Sequence, residues 1–151
     1  MNTIASFTVN HDILDPGIYI SRVDGDITTF DLRTRKPNCG SYMTTRTMHS
    51  VEHMFATYIR NSSIGEKVIY FGPMGCQTGF YLLTRDLEKE TVLEAVIDTL
   101  KKIIAHDGCM FGNTRIECGN YQNLNLEEAK EECRGYLAVL TGKNNDFIYN
   151  E

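Results

Sequence analysis

Thr45-Arg46-Thr47-Met48-His49-Ser50-Val51-Glu52-His53-Met54-Phe55-Ala56-Thr57-Tyr58-Ile59-Arg60-Asn61 reads as one amphipathic helix. Met48, Val51, Phe55, Tyr58 and Ile59 recur at helical spacing and predict a core-facing stripe. Beside it run His49, Glu52, His53, Ala56 and Arg60. Residues four apart on a helix lie one turn above the other, so His49 and His53 can offer two imidazole nitrogens to a single metal ion. Glu52 falls beside that ion as a candidate acid/base. Arg60 shares the stripe, about three turns further on. The polar stripe adjoins the apolar one, so this helix is expected to line a pocket floor.

Upstream, residues 4–9, 17–23 and 27–33 are rich in Ile, Val, Thr, Phe and Tyr and predict three strands. Asp15-Pro16-Gly17 and Asp24-Gly25-Asp26 are turn signals, the second short enough for an antiparallel hairpin. Lys36-Pro37-Asn38-Cys39-Gly40 breaks the pattern before the helix. Downstream, residues 67–71 and 79–84 predict two more strands. A second helix is expected over 86–106, with Leu93, Val96, Ile97, Leu100, Ile103 and Ile104 as its apolar stripe. Acids at its start and Lys101 and Lys102 near its end suit the macrodipole. Residues 114–118 are a candidate last strand. A third helix starts after Asn125, a cap with Glu128 three residues later, and runs to about Thr141 before Gly142. Five or six strands and three helices predict an α+β fold: an antiparallel sheet with helices packed on one face, in a single domain over residues 1–151.

The totals narrow the function classes. A chain of 151 residues suits one domain, which buries roughly 68–70% of its unfolded surface. A net charge of -5 argues against a general nucleic-acid binder. No apolar run approaches the ~20 residues of a membrane span, and Met1-Asn2-Thr3-Ile4-Ala5-Ser6 lacks the features of a signal peptide. Cys39, Cys76, Cys109, Cys118 and Cys133 are odd in number and scattered, a poor disulfide framework. A reducing cytoplasm is therefore expected.

A catalytic metal typically keeps three protein ligands and a water. The third ligand here is open among His11, His106, a cysteine, and an acid such as Glu117, Glu127 or Glu128, because it can come from anywhere in the fold. An acid would make an inverted-motif (H-x-x-E-H) zinc peptidase. A cysteine would make a softer site for zinc, ferrous iron or cobalt. Cys76 is the second informative residue, in Gly72-Pro73-Met74-Gly75-Cys76-Gln77-Thr78-Gly79. Glycines permit unusual backbone angles and close approach of a ligand. A thiol there, near a cation, ionises readily and can exchange protons near neutral pH. His106 and Cys109 flank a helix end and read as structural, Cys133 reads as core, and Cys39 carries no assignment.

His49-Ser50-Val51-Glu52-His53, the loop from Gly72 to Gly79 with Pro73-Met74-Gly75-Cys76-Gln77-Thr78-Gly79-Phe80-Tyr81, and Glu117-Cys118-Gly119-Asn120 resemble the S-ribosylhomocysteine lyase (LuxS) family. Ser6-Phe7-Thr8-Val9-Asn10-His11 and the segment Phe30-Asp31-Leu32-Arg33 with Lys36-Pro37-Asn38 match in the same order. The resemblance implies cleavage of S-ribosylhomocysteine to homocysteine and 4,5-dihydroxy-2,3-pentanedione, the precursor of autoinducer-2. It implies His49, His53 and Cys118 as metal ligands, and Cys76 and Glu52 as the proton-transfer pair. It also implies Ser6, His11, Arg33 and Arg60 as pocket residues. The family is a homodimer with active sites at the interface, and its native metal is Fe2+, often replaced by Zn2+ or Co2+. The chain departs from the family at Tyr70-Phe71-Gly72, where many members carry Asp-Ile-Ser. The family's aspartate recognises the substrate's amino-acid end, a charge that Tyr70 does not supply. Asn10 stands before His11 where an aspartate is common.

Overall fold

The computed structural model describes residues 1–150. Strands β1 (Gly17–Asp24) and β2 (Ile27–Arg33) form the expected hairpin. Strands β3 (Val68–Pro73) and β4 (Gly79–Arg85) form a second one, and the antiparallel sheet has the order β1-β2-β4-β3. Helices α1 (Thr45–Arg60), α2 (Lys89–Ile104) and α3 (Leu126–Thr141) complete the α+β architecture.

Strand alternation divides the sheet into two unlike faces. Ile18, Phe30, Leu32, Phe71, Phe80 and Leu82 share the face that meets the helices, and all are buried. Across from them lie Val51 and Phe55 of α1, Val96 and Leu100 of α2, and Cys133 and Tyr136 of α3. Full burial of each such side chain contributes about 1.5–3 kcal/mol. Phe71 stacks between Phe55 (ring centroids 4.2 Å apart) and Phe80 (5.0 Å), which fixes α1 over β3 and β4. The other face carries Tyr19, Asp31, Arg33 and Tyr81, in register across three strands.

Helix starts follow local chemistry. Thr44 caps α1 by accepting from the Thr47 amide at 3.1 Å, and Asn125 caps α3 by accepting from the Glu128 amide at 3.0 Å. Helix α2 begins at Lys89 rather than Asp86, because the Asp86 amide bonds the Asp26 carbonyl and closes the sheet corner at positive φ. Its buried stripe is Val92, Ala95, Val96, Thr99, Leu100 and Ile103, with Leu93, Ile97 and Ile104 only half-buried. The helix packs against both α1 and α3, which turns its inward face away from the predicted one.

Two predicted strands are absent among the described residues. Residues 4–9 contain a 3-10 turn, Ala5–Phe7, closed by the Phe7 amide on the Ile4 carbonyl. The free edge of β1 is already occupied: the Ile20 amide donates to the Phe147 carbonyl at 2.9 Å, and Tyr19 and Phe147 form a parallel bridge. Residues 114–118 are a turn, with the Glu117 and Cys118 amides both on the Thr114 carbonyl at 3.1 Å. The sheet therefore has four strands, not five or six. No helix among the described residues is long and apolar enough to cross a membrane.

Candidate metal centre and active-site hairpin

The first half of α1 is clamped to the start of α3. Ser50, fully buried, donates its hydroxyl to the Arg46 carbonyl and accepts from the Asn125 amide at 2.8 Å. Thr47 donates to Glu128 at 3.3 Å. This docking carries the preceding loop over His49. Ligand atoms of His49, His53 and Cys118 all lie within 4.8 Å of one another, and Cys118 Sγ is 3.4 Å from His49 Nε2. Metal–nitrogen bonds of about 2.0–2.1 Å and metal–sulfur bonds of about 2.3 Å put tetrahedral ligands about 3.5 Å apart. The donor set and spacing fit one divalent ion. Of the candidates for the third ligand, the fold brings in Cys118 and neither of the other two histidines nor an acid, among the described residues.

The surroundings favour ligand protonation states. His53 Nδ1 lies 2.9 Å from the Phe111 carbonyl, which assigns the proton to Nδ1 and leaves Nε2 free. Glycine is the fitting residue at 112 beside it: its φ is +64°, and a Cβ there would stand 3.0 Å from His53 Nδ1 and press on the ring. The Phe111 loop is held by an aromatic cluster of Tyr58, His106 and Phe111. Within it Tyr58 Oη and His106 Nδ1 are 2.7 Å apart. His106 is thus structural. Burial, then the neighbouring His53, lowers the His49 imidazole below its ordinary value against an opposing effect of Glu52. That favours the neutral ligand. The Asn120 amide donates to Cys118 Sγ at 3.4 Å. Glu52 is half-buried on the same face of α1, without a hydrogen-bond partner among the described residues.

Cys76 sits exposed in the β3–β4 turn. The strained position there is Gln77, at φ +64°, and not one of the glycines. Gly79 serves close approach instead: a Cβ would meet the Leu32 carbonyl oxygen at 2.6 Å, so only glycine lets β4 pair this tightly beside Arg33. The turn is tied to the segment entering α1 by the Met43 amide on the Gln77 carbonyl (3.0 Å) and by Gln77 Nε2 on the Met43 carbonyl (2.9 Å).

Beneath Cys76 lies a buried ion pair. Arg33, 2% exposed, binds Asp31 through Nε to Oδ1 (3.1 Å) and Nη2 to Oδ2 (2.6 Å). Its Nη1 donates to Thr78 Oγ1 at 2.7 Å and lies 3.7 Å from Cys76 Sγ, which is itself 3.1 Å from Thr78 Oγ1. Burial alone would lower the guanidinium, but Asp31 reverses that and holds it above its ordinary value. Asp31 and Thr78 were not singled out from sequence. The signal for Asp31 was its place two residues before Arg33 in a strand, on the same face.

The remaining predicted residues stand apart from these groups within one chain. Ser6 lies in the 3-10 turn packed against β1, and His11 bonds the Val9 carbonyl at 2.9 Å. Arg60 donates to the Val68 and Ile69 carbonyls (3.4 and 3.1 Å) at the far end of α1. At 1.5 Å rise per residue that is about 16 Å from His49 along the axis. Cys133 is core, its thiol pushed up to about 12 by burial. Cys39 and Cys109 are exposed.

Comparison with known proteins gives a consistent result. Residues 4–146 match the profile of a family described as S-Ribosylhomocysteinase (LuxS). An S-ribosylhomocysteine lyase of Finegoldia magna is 43% identical, with all of both chains covered. Proteins of the same name from Clostridium acetobutylicum and Clostridium beijerinckii are 42% and 40% identical, over 97% and 99% of this chain and 96% and 94% of theirs.

Proposed function

The chain belongs to the S-ribosylhomocysteinase (LuxS) family and is a carbon–sulfur lyase, and on that premise we propose a metal-dependent conversion of S-ribosylhomocysteine to homocysteine and 4,5-dihydroxy-2,3-pentanedione. One observation carries the reading: His49, His53 and Cys118 offer two nitrogens and a sulfur within 4.8 Å of one another, in a chain that also carries Cys76 on the neighbouring hairpin. A cysteine as third ligand also separates the site from an inverted-motif zinc peptidase, whose third ligand is acidic.

His49, His53 and Cys118 would hold the ion, Fe2+ natively, with Zn2+ or Co2+ as substitutes. When bound, it supplies Lewis acidity for the sugar's carbonyl and enediolate oxygens. The chain's own residues move the protons. With the ribose in open-chain form, Cys76 as thiolate removes the C2 proton and, as thiol, returns a proton to C1, while Glu52 shuttles protons between the oxygens, so that the carbonyl passes from C1 to C2. A second enolisation carries the carbonyl to C3. The C4 proton is then acidic, and its removal expels homocysteine as the C5–sulfur bond breaks. The two products together contain all the atoms of the substrate, so no water is consumed.

Arg33 supports Cys76 in this scheme. Its guanidinium, fixed by Asp31 and Thr78, presents positive charge 3.7 Å from Sγ. Arg60, exposed beside Ile69 and Tyr70, offers a cation for the substrate's carboxylate. Ser6 and His11 belong to a segment on the β1 edge, the strand furthest from β3. A homodimer, with the N-terminal segment of one copy completing the site of the other, unites all the pocket residues. Free thiols support a reducing, cytoplasmic setting.

The test is direct. Metal-loaded protein is incubated anaerobically with S-ribosylhomocysteine, and released thiol is titrated. Stoichiometric homocysteine is expected; no thiol above background sinks the reading.

A further inference from the structure

We propose that Tyr149 is a positioning residue for Cys76, its hydroxyl acting through Asp31 to fix the Arg33 guanidinium against the thiol. The inference rests on Cys76 being the proton-transfer group. It draws on a segment beyond residues 4–146, the stretch matched to the family.

The geometry is a relay of short contacts on the polar face of the sheet. Tyr149 donates to Asp31 Oδ2 at 2.8 Å. The same oxygen accepts Arg33 Nη2 at 2.6 Å, and Arg33 Nη1 reaches Thr78 and Cys76. Asp31 and Arg33 are both buried, so water does not substitute for a lost partner. The C-terminal segment is built to deliver this hydroxyl. Phe147 plugs the core edge-on to Phe30 (centroids 6.3 Å apart) and bonds β1 through its carbonyl. Its φ of +66°, costly for a bulky residue, turns the chain around the sheet edge. Tyr149 then stacks on Tyr19 (4.9 Å, 16°) on the opposite face. Burial first, then the charge of Asp31, raises the Tyr149 phenol far above its ordinary value and keeps it a donor.

The sign follows from charge sharing. A donor on Asp31 draws off part of the carboxylate's negative charge. Without it, Asp31 neutralises Arg33 more fully, and less positive charge reaches Cys76. The titratable groups that face the thiol are Arg33 and Asp31 of β2 and Tyr81 of β4, with Tyr149 behind Asp31. Only the last is altered by the test.

Tyr149→Phe keeps the ring stack and removes the hydroxyl. On metal-loaded protein, alkylation of Cys76 by iodoacetamide at pH 7 is expected to slow about threefold, with exposed Cys39 as the internal standard unchanged. In turnover, kcat falls by a similar factor with KM little changed. Tyr19→Phe is the control. It also loses a hydroxyl bond from the same ring stack, to the Asp15 carbonyl at 2.7 Å, and leaves Cys76 alkylation alone. An unchanged Cys76 rate in Tyr149→Phe, or an equal loss in Tyr19→Phe, overturns the proposal. Full turnover by Cys76→Ala would instead overturn the catalytic assignment, with the alkylation result still standing by itself.

Discussion

Asp31→Asn is the most demanding test of the polar face. The Asp31 and Arg33 side chains are 1% and 3% exposed and share two hydrogen bonds, and Tyr149 adds a third to the carboxylate. The substitution keeps shape and removes charge, so the guanidinium is left buried with a neutral amide, Thr78 and Cys76 for company. Breaking a buried pair from one side costs roughly 3–5 kcal/mol. With a urea slope of about 2 kcal/mol/M, the unfolding midpoint falls by about 2 M. The double replacement Asp31→Leu with Arg33→Met removes both charges and is expected to cost far less, because the desolvation cost of both ions vanishes with them. Urea unfolding of metal-free protein, followed by circular dichroism at fixed protein concentration, measures both. If Asp31→Asn costs no more than the double variant, the pair is not electrostatically coupled and the argument for Arg33 beneath Cys76 fails. Turnover separates the variants in the opposite sense, since the stable double variant lacks the cation and loses activity.

Other outcomes follow from the same geometry. Cys118→Ala should lose the metal in elemental analysis, whereas Cys76→Ala should keep it and lose turnover; the reverse pattern would exchange their roles. Gly112→Ala forces a side chain at φ +64° against the His53 ring, and metal affinity measured by chelator competition should drop about 10–100-fold, as for loss of an orienting partner. Asn125→Ala removes the α3 cap and should cost about 1 kcal/mol in the same urea assay. The Cys133 thiol ionises at about 12 when folded against 9.0 ordinarily, so the unfolded chain releases its proton first. Stability from this group is complete below pH 9.0 and declines by about 1.4 kcal/mol per pH unit from there towards the folded value. Cys133→Val should lack that part of the slope in urea midpoints taken between pH 8 and 11, and equal slopes would refute it.

How far the sequence speaks depends on how local each cause is. The helix with His49, Glu52 and His53 was readable because its period, its cap region and its ligand spacing all lie within one element. The Asn125 cap and the Gly142 stop of α3 are equally local. Residues 4–9 misled because a strand needs an edge, and the edge of β1 is taken by Phe147, far away in the chain. Residues 114–118 have strand-forming Thr and Ile, yet Ile116 is 99% exposed and the Thr114 carbonyl curls the segment onto itself. The third ligand was open for the same reason: Cys118 meets His49 only because Ser50 and Asn125 dock α3 on α1. From the residues alone Arg33 could pass for a surface charge. Its burial became apparent only with Asp31 beside it and Tyr149 behind it.

The partner of His53 is the Phe111 carbonyl, a main-chain group. No side-chain replacement at position 111 removes that oxygen itself, and one there also breaks the cluster with Tyr58 and His106, so a substitution scan of this loop cannot isolate the contact that orients the ligand. Its constraint is written in spacing rather than in residue identity. Adding or removing a single residue between Cys109 and Asn113 would swing that oxygen away from Nδ1 and free the imidazole to rotate or change tautomer. Intolerance to length change, on top of the packing that holds Met110 and the Phe111 ring and the space that Gly112 leaves, is the genetic fingerprint this contact should leave.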